Sequence, residues 1–391
     1  MNKTIKSILV IFVCCCAVNS NAQKTIDTIA TKAGGYDIPI RIKLPKKNNG
    51  KRPVYFFIHG GGWNGGDTNK VPPARLHSDA NFLADELGII YVGLAYRCKG
   101  NNATYADAIS DLEASVKWFM DHAERFNADV TRIGFGGASA GSTLSASMAQ
   151  KYTNCKVYIG AEGMYNLVDH TEERSPFPNQ KAREIYGLTT KKKSKEASAF
   201  YNLKKKPPAS LLFHGKEDRL CHYTQSEKFA KEIIKSSGKA KVILYDKINH
   251  TCFSAGHPDV LKNSVIEIAK LFIKEFDLEV KDISSIENLL KKRLKGQYPS
   301  KNITKEKLFG IWKHKNETLH VLENGKGFSV HNRTKKKRDF QYSLTNESFK
   351  IVLPNNKTRL YILRNSNNAI YYINIENNNA KYRRINYIKQ K

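Results

Sequence analysis

The sequence predicts an α/β fold, a mainly parallel sheet with helices on both faces, followed by a small all-β, barrel-like C-terminal domain. Three observations predict it. Between Pro53 and about Tyr245, short continuously apolar runs alternate with segments of helical period. Such runs belong to strands buried on both faces, and helices between them make the crossovers of a parallel sheet. After about Asp277 the alternation stops. Residues 281–391 hold 25 Lys+Arg against 8 Asp+Glu, a net of +17, and short runs with turn signals take over.

The first element is a transport label. Lys3 and Lys6 precede a short apolar stretch over residues 8–18, and Ser20-Asn21-Ala22 supplies small residues before Gln23. This pattern predicts a secretory signal peptide over residues 1–22, with export to the periplasm or the medium. A lipoprotein anchor through Cys14, Cys15 or Cys16 is the rival, disfavoured by the bulk of Val13. No other apolar run is long enough to span a bilayer, so a multi-span membrane protein is excluded.

Residues 54–58 form a strand that ends in glycines. Residues 78–87 read as a helix with Ser78 as its cap and Gly88 as its stop. Residues 89–95 are a second strand. Ile109, Leu112, Val116 and Phe119 share one face of a helix over 107–122. Strands follow at 132–135, 157–159, 211–213 and 242–245, with helices at 142–150, 224–237 and 258–276. These elements occupy a unit assigned to residues 23–280. A helix and linker cover 281–303, and the basic all-β domain covers 304–391. In that domain Glu323-Asn324-Gly325-Lys326 joins two apolar runs as a hairpin, and five to seven strands are expected.

Overall balance narrows the function classes. The 391 residues carry 65 Lys+Arg and 36 Asp+Glu, a formal charge of +29. An apolar share of 40% excludes a wholly disordered chain. Seven cysteines are too few for a disulfide-built miniature. Cys98, Cys155, Cys221 and Cys252 remain beyond the leader, and Cys221 and Cys252 are a conceivable pair.

The chemistry concentrates at two glycine-rich turns. Gly137-Ala138-Ser139-Ala140-Gly141 lies between a strand and a helix of small residues. That context makes Ser139 a nucleophile lifted on a tight turn, with flanking glycines removing side chains that would collide. His59-Gly60-Gly61-Gly62-Trp63 follows the strand at 54–58. Acyl transfer puts negative charge on a carbonyl oxygen, and main-chain N–H groups must already point at it. Gly61 and Gly62, with Ala140, are the expected oxyanion donors. His59 reads as structural.

These motifs resemble the esterase/lipase branch of the α/β-hydrolase fold over about Pro53 to Phe276. Ala95-Tyr96-Arg97, Asp129-Val130-Thr131-Arg132-Ile133 and His214-Gly215-Lys216-Glu217-Asp218 resemble that branch as well, as do Gln225 and Ser226. The resemblance implies Asp218 as the triad acid, with Glu217 the lesser alternative. His250, 32 positions later, completes the order Ser139, Asp218, His250 that this fold uses. A near-neutral imidazole can take the serine proton and return it to the leaving alcohol. His257 is the competitor, and His222 reads as a loop residue. The sequence departs from the family at Ser142, at Thr251-Cys252 and at Cys221-His222-Tyr223. Trp63 and Tyr165 are candidate substrate-binding walls, and a segment to about Ala199 is expected to cap the site.

Within the fold the chain resembles secreted bacterial carbohydrate esterases, acetylxylan and feruloyl esterases among them. The resemblance implies a small-molecule or oligosaccharide ester as substrate, with no metal and no cofactor. Lipase-like and peptidase-like hydrolysis, or a binding protein with a relic triad, are the alternatives. Gly310-Ile311-Trp312-Lys313 weakly resembles the start of lipocalin-like modules, and a secretion-sorting module is a lesser reading of the basic end. Lys291-Lys292-Arg293 and Lys335-Lys336-Lys337-Arg338 suit a polyanion or cell-surface glycan. A nucleic-acid enzyme is not expected, because basic and recognition residues do not interleave.

Overall fold

The structure is a computed structural model. It describes residues 25–46, 50–66, 69–75, 80–168, 184, 186–250, 252, 257–279, 282–294, 304–314, 316–344, 349–354, 358–363, 369–373 and 385–390. The leader at 1–22, the start of the helix expected at Ser78, Thr251 and Phe253 beside His250, and most of the linker at 295–303 lie outside the described residues.

An eight-stranded sheet forms the first unit. Its strands are β1 (Thr25–Ala33), β2 (Tyr36–Lys43), β3 (Arg52–Ile58), β4 (Ile90–Leu94), β5 (Ala128–Ala138), β6 (Cys155–Ala161), β7 (Ala209–Gly215) and β8 (Ala240–Tyr245). The order across the sheet is β1-β2-β4-β3-β5-β6-β7-β8. β1, β2 and β4 pair antiparallel, and every pairing from β4 through β3 to β8 is parallel.

The hairpin of β1 and β2 has no counterpart in the sequence reading. Its turn is Gly34-Gly35, both at positive φ (56° and 84°), the conformation a tight two-residue hairpin requires. Arg41 reaches across to Asp27 at 2.6 and 2.8 Å.

Alternation along β3 explains why the sheet is covered twice. Val54, Phe56 and Ile58 point to one face, where they meet Ile109, Leu112, Val116 and Phe119 of helix α2 (Tyr105–Asp121). Leu144 of α3 (Ala140–Lys151) and Phe229 of the later helix over Thr224–Lys235 complete that side. Tyr55 and Phe57 point the other way. They meet Leu83 of α1 (Ala80–Leu87), together with Val265 and Phe272 of the helix over Pro258–Glu275 and Ile286 and Leu290 of the helix over Ile283–Leu294. In chain order the last four helices of this unit are α4 (Lys191–Ala197), α5 (Thr224–Lys235), α6 (Pro258–Glu275) and α7 (Ile283–Leu294). Each fully buried large side chain in such a layer contributes on the order of 1.5–3 kcal/mol.

The C-terminal strands close on themselves. β9 (Gly310–Lys313), β10 (Glu317–Val321), β11 (Lys326–His331), β12 (Lys337–Leu344), β13 (Phe349–Val352), β14 (Thr358–Leu363), β15 (Ala369–Ile373) and β16 (Ile385–Lys389) pair antiparallel in sequence, and β16 returns to β9. The barrel therefore has eight strands, not five to seven: full closure satisfies both edges, which a smaller count leaves unpaired. Trp312, Leu319, Val321, Phe340, Tyr342 and Ile351 fill its described interior, and Trp312 Nε1 donates to Leu308 O at 2.8 Å. The expected hairpin is present, with Gly325 at φ 76° and Leu322 N donating to Lys326 O at 3.0 Å.

Among the described residues, no helix is long and apolar enough to cross a membrane. Cys98, Cys155, Cys221 and Cys252 are all buried free thiols, which corrects the conceivable Cys221–Cys252 pair. Instead the Cys252 thiol faces the Glu162 carboxylate, and the Cys221 amide is held by Asp218.

Candidate active site

Ser139 sits where β5 turns into α3, with φ 56° and ψ −126°. A non-glycine residue holds that conformation only when its surroundings impose it. Its N–H donates to Ala161 O at 2.8 Å, and its carbonyl accepts from Ser142 N and Thr143 N at 2.9 and 3.2 Å. Two glycines make the turn possible. A Cβ at Gly141 would lie 2.1 Å from Ile58 O, and one at Gly137 would lie 2.5 Å from the Gly141 carbonyl. Helix and strand thus touch through bare backbone, and the serine side chain projects from the C-terminal ends of the parallel strands, where open α/β sheets place ligands.

Residues remote in sequence meet there. His250 Nε2 is 2.7 Å from Ser139 Oγ, and His250 Nδ1 is 2.6 Å from Asp218 Oδ2. An ionised carboxylate only accepts, so Nδ1 carries the proton and the Nε2 lone pair faces the serine hydroxyl. Asp218 Oδ1 accepts from Leu220 N and Cys221 N at 2.8 and 3.0 Å. Burial pushes the Asp218 carboxyl up, but hydrogen bonds from His214 and His250 outweigh it and hold it well below the carboxylate range.

The resemblance motifs turn out to be fasteners for this cluster. His214 Nε2 donates to Cys221 O at 2.8 Å and lies 3.2 Å from Asp218 Oδ2, while Ser226 Oγ donates to His214 Nδ1 at 2.8 Å. Gln225 Oε1 accepts from Tyr165 N and Asn166 N, both at 2.9 Å, and so ties the loop after β6 to α5. Tyr96 Oη donates to His59 O at 2.9 Å, and Arg97 forks onto Asp111 at 2.8–3.1 Å. The His59 ring is buried and stacks on Tyr96, with centroids 4.6 Å apart. Burial lowers its affinity for a proton, in keeping with its structural reading.

The glycine loop after β3 runs through three successive positive φ values: Gly61 138°, Gly62 62° and Trp63 54°. Lys99 N donates to Trp63 O at 2.9 Å, and Tyr186 Oη donates to Gly62 O. Gly60 brings the loop against the elbow, since a Cβ there would lie 3.1 Å from the Ser139 Cβ. Ala140 opens α3, where an amide has no acceptor within its own helix.

Both expected substrate walls are corrected. Trp63 is 3% exposed and packs edge-on against Tyr186 and Tyr105. Tyr165 is fully buried, stacks on Phe229 at 4.3 Å and bonds Ser142 Oγ at 3.0 Å through its hydroxyl. Each is a core aromatic: its ring is spent on packing before a substrate could meet it. Ser142, a departure from the family, fits for the same reason, because its hydroxyl lies between Tyr158 and Tyr165. His257 stands at the N-cap of α6, His222 bonds Thr224 Oγ1 at 2.9 Å, and Glu217 is exposed.

One group beside the imidazole escaped the sequence reading. Glu162, just past β6, is 4% exposed, and its Oε2 lies 4.0 Å from His250 Nδ1. A carboxylate between Ala161 and Gly163 matches no motif, and the parallel pairing of β6, β7 and β8 brings it to His250. Burial pushes the His250 imidazole down, yet Glu162 and Asp218 outweigh it and raise it to about 9. Among the described residues, no group of three or more His, Cys, Asp and Glu side chains is placed to hold a metal ion.

Known proteins resemble the first unit of this chain. Residues 40–233 match the BD-FAE family model. The chain is 26% identical over 231 residues to a protein described as a probable isoprenylcysteine alpha-carbonyl methylesterase of Arabidopsis thaliana, covering 53% of this chain and 47% of that one. It is 36% identical over 115 residues to the carboxylesterase NlhH of Mycobacterium tuberculosis, covering 29% and 34%. The chain thus spans about half or less of the length of these curated relatives. The propionate-bound esterase Est2 of Thermogutta terrifontis superposes with a TM-score of 0.55 at 20% identity, covering 66% of this chain and 97% of that one. The sheet and the superposition show the α/β-hydrolase fold, and the family match with these relatives supports an esterase family for the chain.

Proposed function

We propose that the protein is a serine carboxylic-ester hydrolase. The observation that carries the reading is the continuous relay from Ser139 Oγ through His250 to Asp218, with contacts of 2.7 and 2.6 Å. In this reading His250 takes the Ser139 proton as Oγ attacks the ester carbonyl. The N–H groups of Gly61 or Gly62 and of Ala140 hold the oxyanion. The protonated imidazole then gives its proton to the departing alcohol, and water, deprotonated in turn by His250, releases the acid and frees Ser139.

The substrate reading is finer. The motif resemblance to carbohydrate esterases favours an acyl ester on a plant or microbial polysaccharide. The relatives named for a methylesterase and a carboxylesterase favour small esters in general, and a relative named arylacetamide deacetylase, from Bos taurus and 33% identical over 118 residues, brings in amides as the second reading. Residues 1–22 fit a cleavable leader, residues 23–280 the catalytic domain, 281–303 a helix and linker, and 304–391 the lipocalin-like barrel, whose exposed Lys335, Lys336, Lys337 and Arg338 suit a polyanion or glycan. The test is a panel of acetyl, feruloyl and longer acyl esters beside matching amides. Ester turnover that disappears in Ser139→Ala supports the reading. Faster amide than ester cleavage by the native protein, or undiminished turnover in the variant, contradicts it.

A further inference from the structure

We propose that Glu162 is a positioning residue for the same reaction: a second charged carboxylate that acts through His250, sharing with Asp218 the stabilisation of the imidazolium and fastening the loop that carries it. The inference rests on the reading of Ser139, His250 and Asp218 as a working triad.

Four features of the structure converge on this role. Glu162 Oε2 is 4.0 Å from Nδ1, the nitrogen that also bonds Asp218 Oδ2 at 2.6 Å, so two acids from two different strand ends face one imidazole edge. Glu162 Oε1 accepts from the N–H of Cys252, two residues beyond His250. The Glu162 backbone is held at φ 55°, a conformation costly for a side chain of this size and kept only where neighbours impose it. Its N–H donates to Phe213 O at 2.9 Å, and the carbonyl before it accepts from Ser139 N at 2.8 Å. The residue thus lies on the same short piece of main chain that holds the nucleophile.

The chemistry asks for such a group. When Ser139 yields its proton to Nε2, the half-buried ring gains a full positive charge. Asp218 takes the Nδ1 hydrogen bond. Glu162, too far to share that proton, lowers the energy of the charged ring through space. A buried carboxylate is expensive on its own, and here the Cys252 N–H and the imidazole offset that cost. Among the described residues, the titratable groups facing His250 are Ser139 from the elbow, Asp218 from the loop after β7 with His214 behind it, Glu162 from the end of β6, and the Cys252 thiol on its own loop. Burial drives the Glu162 carboxyl up, as does Asp218, while His250 opposes the rise. The same pair of acids raises His250.

The experiment compares the native protein, Glu162→Gln, Asp218→Asn and the double variant. Glutamine keeps an oxygen for the Cys252 amide and removes only the charge. The readouts are the pH dependence of kcat/KM for a short ester and of the rate at which a fluorophosphonate modifies Ser139. Loss of an opposite charge at this range moves a pKa by about one unit or more. The acid limb of both profiles should therefore fall by about one pH unit in Glu162→Gln. The double variant should be about tenfold or more slower than Asp218→Asn. An unshifted limb, or a double variant no slower than Asp218→Asn, overturns the proposal, since a purely structural anchor moves neither. Failure of the hydrolase reading looks different: the native protein then turns over no ester, whatever the state of Glu162.

Discussion

The open sheet and the closed barrel of this chain bury different things. The eight-stranded sheet of the first unit buries apolar side chains on both faces and, at its strand ends, a polar cluster of His214, Asp218, Glu162, Gln225 and Ser226. The barrel buries Trp312, Leu319, Phe340 and their neighbours, with only Thr318 and Ser329 as buried polar side chains among the described residues. Among the described residues on its strands, Lys326, Lys337, Arg338 and Asp339 are all exposed. Buried polar groups cost free energy unless partnered, so a cluster of them marks where the fold is committed to chemistry. The comparison sets a buried polar cluster in the first unit against a barrel that buries almost none among the described residues.

The sharpest way to test that contrast is Ser139→Ala, which should lower ester turnover by about 10⁵–10⁶-fold, as removal of a triad nucleophile does elsewhere. Steady-state kinetics on a short acyl ester reads this directly. Asp218→Asn should cost roughly 10²–10³-fold, less than the ~10⁴ lost in a triad with one acid, because Glu162 remains beside His250. A loss at the larger figure would count against the second carboxylate.

A core substitution separates the two regions by stability instead. Phe56→Ala should destabilise the first unit by about 3–5 kcal/mol and reduce activity as the fold loosens. Trp312→Ala should destabilise the barrel by a similar amount, about 3–5 kcal/mol, while leaving kcat/KM for a short ester within about twofold. Denaturant titration followed by both activity and fluorescence distinguishes them. A large activity loss in Trp312→Ala would mean that the barrel takes part in the reaction.

A subtler expectation concerns pH. His250 acts as base only when neutral, and its affinity for protons is raised to about 9. Turnover should therefore rise with pH across the neutral range and level off near pH 9. A plateau already reached at pH 7 would show that the two acids do not act on the ring together.

The sequence made the triad legible because each member follows a strand end and carries local signals. Ser139 is bracketed by Gly137 and Gly141, Asp218 closes the segment begun by His214, and His250 follows β8. Glu162 was invisible because nothing local marks it, and its closeness to His250 arises from the parallel register of β6 and β7. Trp63 and Tyr165 lie in the core, hidden from the sequence for a related reason: aromatic character says nothing about which partner claims the ring. In β1 the pattern Thr-Ile-Asp-Thr-Ile-Ala-Thr alternates weakly, because no described strand pairs with its outer side, and Gly34-Gly35 was its only clear signal. The barrel's short strands are each ambiguous alone, and closure between β9 and β16 spans the whole unit.

The most direct test of the central claim is to map covalent modification by a fluorophosphonate. The account predicts one adduct per chain, on Ser139, formed about 10³-fold or more slowly when His250 is replaced by alanine, as expected when a serine loses its general base. An adduct on another residue, or an unchanged rate in His250→Ala, would contradict it.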